Sequence, residues 1–77
     1  MDERALKDGA VWEKIGLLIQ VNESDGMYLV VAFSDEEGTL TYSGSVIFNE
    51  EESLKKHLLK HGMSPTDKVI TLCRKVQ

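Results

Sequence analysis

The sequence predicts an α+β fold of order β-β-β-α-β. An antiparallel meander and one crossover helix are expected to build a four-stranded mixed sheet, with the helix packed on one face. Three observations carry this expectation. Two acidic, glycine-ended turn signals, "NESDG" and "SDEEG", cut the first half of the chain into apolar runs of strand length. Those runs alternate apolar and polar positions, as a half-buried strand does. A later stretch, "NEEESLKKHLLKHG", places acids first and bases last around apolar residues at helical spacing.

With 77 residues, the chain is expected to form a single small domain over 1–77, near the size at which one core barely offsets chain entropy. Residues 1–10 contain good helix formers up to Asp8-Gly9 and predict a short helix or a loose N-terminal arm. "VWEKIGLLIQV" fits a helix through Val11, Ile15 and Leu18. It fits a strand through Ile15, Leu17, Ile19 and Val21, and its β-branched residues and Gly16 favour the strand. Then follow "MYLVVAF" and "TLTYSGSVIF". Pairing Val21 with Met27 also pairs Ile19 with Leu29, Leu17 with Val31 and Ile15 with Phe33. Pairing Phe33 with Leu40 also pairs Val31 with Tyr42 and Met27 with Val46. Both registers keep one apolar face, and a one-residue slip would reverse it. Gly44 then falls opposite Leu29, as a bulge or a close approach of the helix. The last strand is expected between Val69 and Arg74 or Val76, after Pro65, parallel to the first strand.

In "NEEESLKKHLLKHG", Asn49 reads as the N-cap with Glu52 three residues on, Gly62 as the residue that ends the helix, and Met63 as folding back on Leu58. Leu54, Leu58 and Leu59 form the expected buried stripe. His57 and His61, four residues apart, can share a face, but two histidines without a spaced third ligand are a weak metal signal. They read as residues bordering the stripe, and no metal or cofactor is expected. No phosphate loop, calcium loop or triad-like arrangement is present, so catalysis is not expected. Cys73 stands alone in "KVITLCRKV" and reads as a small apolar strand residue. The lone cysteine, the charged N-terminus and the lack of a long apolar run lead us to expect a cytoplasmic protein away from membranes.

Charge is divided unevenly. Residues 1–52 hold three bases against twelve acids, and residues 53–77 hold six bases against one acid. The basic third makes Lys56, Lys60, Lys68, Arg74 and Lys75 candidate contacts for an anionic ligand, with nucleic acid as the alternative partner. The leading expectation is a non-enzymatic protein-binding or regulatory module that self-associates as a homodimer. It would act through an apolar patch of Leu18, Tyr28, Val30 and Ile47 on the outer face of the sheet, or by strand addition at a free edge. The alternative cover for that face is the N-terminal segment with Leu6, Val11 and Trp12. Acid clusters at 23–25 and 50–52 are expected at one end of the sheet, an arrangement a nucleic-acid mimic would use.

The element order, with "DGMYLVVAFSDEEG" leading into a helix, resembles the truncated ribonuclease-H-like domain of HicB-type antitoxins over roughly the middle of the chain. The Pro-and-Cys-containing loop of that family is missing here. The resemblance implies inhibition of a partner by binding, without catalysis.

Overall fold

The structure is a computed structural model and describes residues 6–70. It is a small α+β fold with a five-stranded antiparallel sheet and one helix. The strands are β1 (Val11–Lys14), β2 (Leu17–Ser24), β3 (Met27–Glu36), β4 (Thr39–Phe48) and β5 (Ser64–Thr66), and the helix α1 (Glu51–Lys60) lies between β4 and β5. The strand order is β4-β3-β2-β1-β5. The expected meander is present with one strand more, because "VWEKIGLLIQV" is a hairpin. Gly16 has φ +77° and lets the chain reverse after Ile15, so that Lys14 pairs with Leu17 and Val11 with Gln20.

A mixed sheet is expected from the sequence; among the described residues the sheet is antiparallel throughout. The closing strand forms at Ser64–Thr66, immediately after the helix, and pairs antiparallel with β1, Val11 opposite Thr66. Pro65 is admissible there because β5 is an edge strand. Val69 and Ile70 lie outside any strand, and the rest of the strand expected up to Arg74 or Val76 lies outside the described residues, as does Cys73. The N-terminal arm is tied down from Leu6 onward. The Gly9 amide donates to the Val21 carbonyl at 2.7 Å, the Val21 amide to the Ala10 carbonyl at 2.8 Å, and the Glu23 amide to Asp8 Oδ1 at 2.9 Å.

Turn length fixes the registers, and it corrects both expected ones. Asp25 and Gly26 form a two-residue turn with φ +50° and +80°, so Ser24 pairs with Met27 and Val21 with Val30. The expected pairing of Val21 with Met27 would need a longer loop. The two registers differ by an odd number of positions, which moves β3 to its other face. Tyr28, Val30 and Ala32 therefore join Leu17, Ile19 and Val21, while Leu29, Val31 and Phe33 join Leu18. Glu37-Gly38 repeats the two-residue turn, with φ +53° and +86°, and pairs Glu36 with Thr39. In both hairpins an acid just before the turn accepts from the glycine amide: Glu23 from Gly26 and Asp35 from Gly38, each at 3.1 Å. Part of the acidity of these turns thus serves the backbone.

A bulge at Ser43 then divides β4. Phe33 pairs with Tyr42, but Ala32 pairs with Gly44. Leu40 and Tyr42 lie on the face of Phe33, while Val46 and Phe48 lie on the face of Val30. Gly44 stands opposite Ala32 instead of Leu29.

The helix buries Leu54 and Leu58 against Leu6, Trp12, Ile19, Val21, Val30 and Met63. A second, smaller cluster of Val11, Leu18, Phe33 and Ile70 covers part of the opposite face. Strand β2 is therefore buried on both sides, and Leu17-Leu18-Ile19 reads as a continuous apolar run. Leu59, expected in the buried stripe, is 54% exposed. It sits roughly 100° around the helix from Leu58, and Met63 takes the place beneath the last turn. The Gly62 amide donates to the Leu59 carbonyl at 3.1 Å and the Met63 amide to the Leu58 carbonyl at 3.0 Å, with Gly62 at φ +71°. This pair of bonds is a Schellman motif, as expected from Gly62 and Met63. The other end differs: the N-cap is Glu50, in extended backbone with no side-chain cap, so Asn49 does not cap the helix.

Two predictions follow from this packing. Leu58→Ala is expected to cost about 2–5 kcal/mol, whereas Leu59→Ala is expected to stay within about 0.5 kcal/mol; urea unfolding of the two variants measures both. Glu37→Asn is expected to stabilise the protein by up to about 1 kcal/mol, because asparagine tolerates the left-handed conformation better than glutamate. A shift of the urea midpoint to higher concentration at unchanged slope is the readout.

Candidate functional site

The four residues expected to form one outer patch do not share a face. Tyr28 and Val30 turn toward the helix, Val30 within the main core and Tyr28 packed against it. Leu18 is buried on the opposite face beside Phe33 and Ile70, and Ile47 is on that face and 63% exposed. The odd register shift is the reason. Leu6 and Trp12 join the helix-side core, and Val11 the opposite one, so the N-terminal segment does not lie across a single outer face.

Exposed apolar side chains gather instead around β4 and the neighbouring end of β3. Leu29, Tyr42 and Ile47 are exposed on the face away from the helix, and Val46 on the helix side. Strand β4 is an edge of the sheet, and among the described residues nothing pairs with its outer side. Its ten residues, "TLTYSGSVIF", include no charge and no proline. The opposite edge, β5, is three residues long and contains Pro65.

On the helix side, α1 leaves part of the sheet uncovered. A groove of about 300 Å³ opens between the helix and strands β3 and β4. Its floor includes Ala32 and Gly44, which are cross-strand partners with little side chain to fill the space. His57 and His61 form its helical wall, with ring centroids 4.5 Å apart, and Phe48 lies 5.1 Å from the His57 ring. Lys14 stands at one end and donates from Nζ to the His61 carbonyl at 3.2 Å. Sequence reasoning placed the histidines at the border of the buried stripe but did not find this groove. The turn chemistry of Asp25-Gly26, read as a two-residue loop, would have put Ala32 on the helix side.

Burial, reinforced by the charges of His61 and Lys60, holds the His57 imidazole below its usual pKa. Among the described residues no group of three or more His, Cys, Asp or Glu side chains is placed to hold a metal ion. Burial, with Glu51 and Glu23 nearby, raises the Tyr28 phenol above its usual value. Glu23, Tyr28 and Glu51 line one shallow depression, so the acid clusters at 23–25 and 50–52 lie at one end of the sheet, as expected.

The basic candidates within the described residues stand in different surroundings. Lys56 and Lys60 are exposed on α1. Lys68 is committed elsewhere, with its Nζ 2.7 Å from Glu13 Oε1. Hydrogen bonds from Lys68 and Thr66 lower the Glu13 carboxyl pKa, and the same bond to Glu13 raises that of Lys68. This pair fastens the segment after β5 to β1. Arg74 and Lys75 lie outside the described residues.

No helix among the described residues is long and apolar enough to cross a membrane. Comparison of the chain with protein-family models, with curated proteins and with solved structures gave no match. The likeness to HicB-type antitoxins thus rests on element order alone, and that order has an additional strand before the helix.

The lowered His57 pKa has a defined sign. The unfolded chain binds a proton near the ordinary histidine value of about 6.5, and the folded state binds it only at lower pH. The contribution of neutral His57 is complete above the unfolded value and is lost as pH falls through it toward the folded value. Thermal melts between about pH 7.5 and about pH 5.5 are expected to show wild type losing more stability on acidification than His57→Gln. Equal losses would assign the acid sensitivity to other groups.

Proposed function

We propose that the protein is a non-enzymatic binding module that works by adding a β-strand at the free edge of β4, and that its first partner is a second copy of itself. The observation carrying this reading is the edge strand. Natural sheets guard an edge with charge, proline, shortness or a cover. Strand β5 has two of these, shortness and Pro65, whereas β4 presents ten uncharged residues. Among the described residues its only blunting device is the bulge at Ser43, which leaves Gly44–Phe48 as an uninterrupted run beyond it.

Two β4 edges can pair antiparallel about a two-fold axis, joining the sheets and placing both helices on one side. Main-chain hydrogen bonds would supply the attraction, and Tyr42, Ile47 and Leu29 would lose water on the face away from the helices. Binding without catalysis agrees with the work already done by several acids: Asp8, Glu23 and Asp35 accept backbone amide bonds, and Glu13 holds Lys68. The regulatory role and the cytoplasmic setting belong to the same proposal, in which assembly through β4 is the event that is regulated.

The test is light scattering coupled to size exclusion over a range of protein concentrations. Wild type is expected to shift from monomer to dimer as concentration rises. The double variant Tyr42→Lys/Ile47→Lys is expected to remain monomeric with its far-ultraviolet circular dichroism unchanged, because lysine on an edge disfavours pairing. A wild type that stays monomeric at millimolar concentration, or a variant that dimerises as well as wild type, would remove the reading.

A further inference from the structure

The groove beside α1 has a chemical character that the edge strand does not explain. The chain carries 13 acids and 9 Lys and Arg residues, yet among the described residues no carboxylate lines this groove. Among the described residues the ionisable groups along it are Lys14, His57 and His61. The remaining lining is dominated by apolar or small residues, with buried Ile19, Val30, Leu58 and Met63 deepest. An apolar trough with imidazole hydrogen-bonding groups along one wall and a lysine at one end complements a molecule with an apolar body and a single negative charge.

We propose that this groove binds a small amphipathic carboxylate, such as a medium-chain fatty acid. The apolar tail lies over Ala32 and Gly44, and the carboxylate meets Lys14 and the histidine pair. Three features support the assignment. The volume of about 300 Å³ lies at the lower end of the range of small-ligand pockets. Lys14 uses one ammonium hydrogen on the His61 carbonyl and retains others for a carboxylate. Among the described residues no heavy atom other than those of its chain neighbours stands within 4 Å of where a Cβ on Gly44 would be, which leaves space above this strand residue. The buried lining residues Ile19, Val30, Leu58 and Met63 belong to the core, so the trough is backed by packed structure.

Gly44 also supplies the test. Its φ is not positive and a Cβ there meets no neighbour among the described residues, so Gly44→Val extends from this open position into the trough from its floor. The probe is decanoate below its micelle-forming concentration, titrated into the full chain and followed by amide chemical shifts. Decanol and decyltrimethylammonium carry the same tail with no charge and with the opposite charge. Decanoate is expected to saturate, moving the amides of Ala32, Gly44, His57 and His61. Decanol is expected to bind at least about tenfold more weakly, and decyltrimethylammonium not at these amides. Gly44→Val should abolish decanoate binding while keeping the fold. Lys14→Glu, which leaves the floor intact, should weaken decanoate at least about tenfold and spare decanol. Equal binding of the cationic probe would reduce the groove to a nonspecific apolar surface and overturn the proposal. So would decanoate binding that survives Gly44→Val, or shifts confined to the opposite sheet face.

Discussion

The parity of the Asp25-Gly26 turn is the constraint on which the rest of the molecule depends. A two-residue loop pairs Ser24 with Met27 and so decides that Val30, not Leu29 or Val31, faces the helix. Side chains alternate along a strand, so a loop longer or shorter by one residue would exchange the two faces of β3. The helix would then meet a different set of side chains, and Ala32 would no longer lie under it. The positive φ at both turn residues matches the twist of the flanking strands, which makes the short loop the favoured one. The main core, the groove floor and the exposed set around Leu29 all descend from that local preference.

Much of the architecture was legible in the sequence, for reasons that can be traced to particular residues. The strand-length runs, the two acidic turns and the charge order of α1 gave the α+β class, the antiparallel meander and one helix. The end of the helix was legible because Gly62 and Met63 satisfy a specific pattern of backbone bonds. Its beginning was not, because Asn49 offers a capping side chain but the chain enters the helix one residue later, at Glu50. The hairpin at Gly16 was hidden because β2 is buried on both faces. Leu17, Leu18 and Ile19 are all apolar, so alternation could not report where one strand ended and the next began. Register was the least accessible feature. Several registers preserve an apolar stripe when β3 carries large apolar residues at both parities, and only turn geometry separates them.

Whether the residues of the expected patch share a face depends on the register. Leu18, Tyr28, Val30 and Ile47 were grouped by strand parity, so an odd shift divided them between two faces. The groove could not be foreseen from parity at all, because it needs Ala32 and Gly44 to be neighbours, and the bulge at Ser43 sets that pairing. A single short helix cannot cover five strands. With its buried leucines drawn toward Trp12, Val21 and Met63, α1 leaves Tyr42, Val46 and Ile47 of β4 exposed among the described residues.

The arrangement of the turns also bears on how the chain reaches this state. Three successive hairpins, each closed by two residues, let β1 to β4 form through contacts between near neighbours in sequence. Closing such short loops carries little entropic cost, and meanders of this kind fold by contacts of low sequence separation. The pairing of Val11 with Thr66 is of another kind, since it joins the two ends of the described chain. Its loop is long until the meander and helix exist, and short in effect once α1 has docked. Strand β5 is therefore the latch of the fold, added after the sheet it completes. Its loss would speed unfolding far more than it would slow folding.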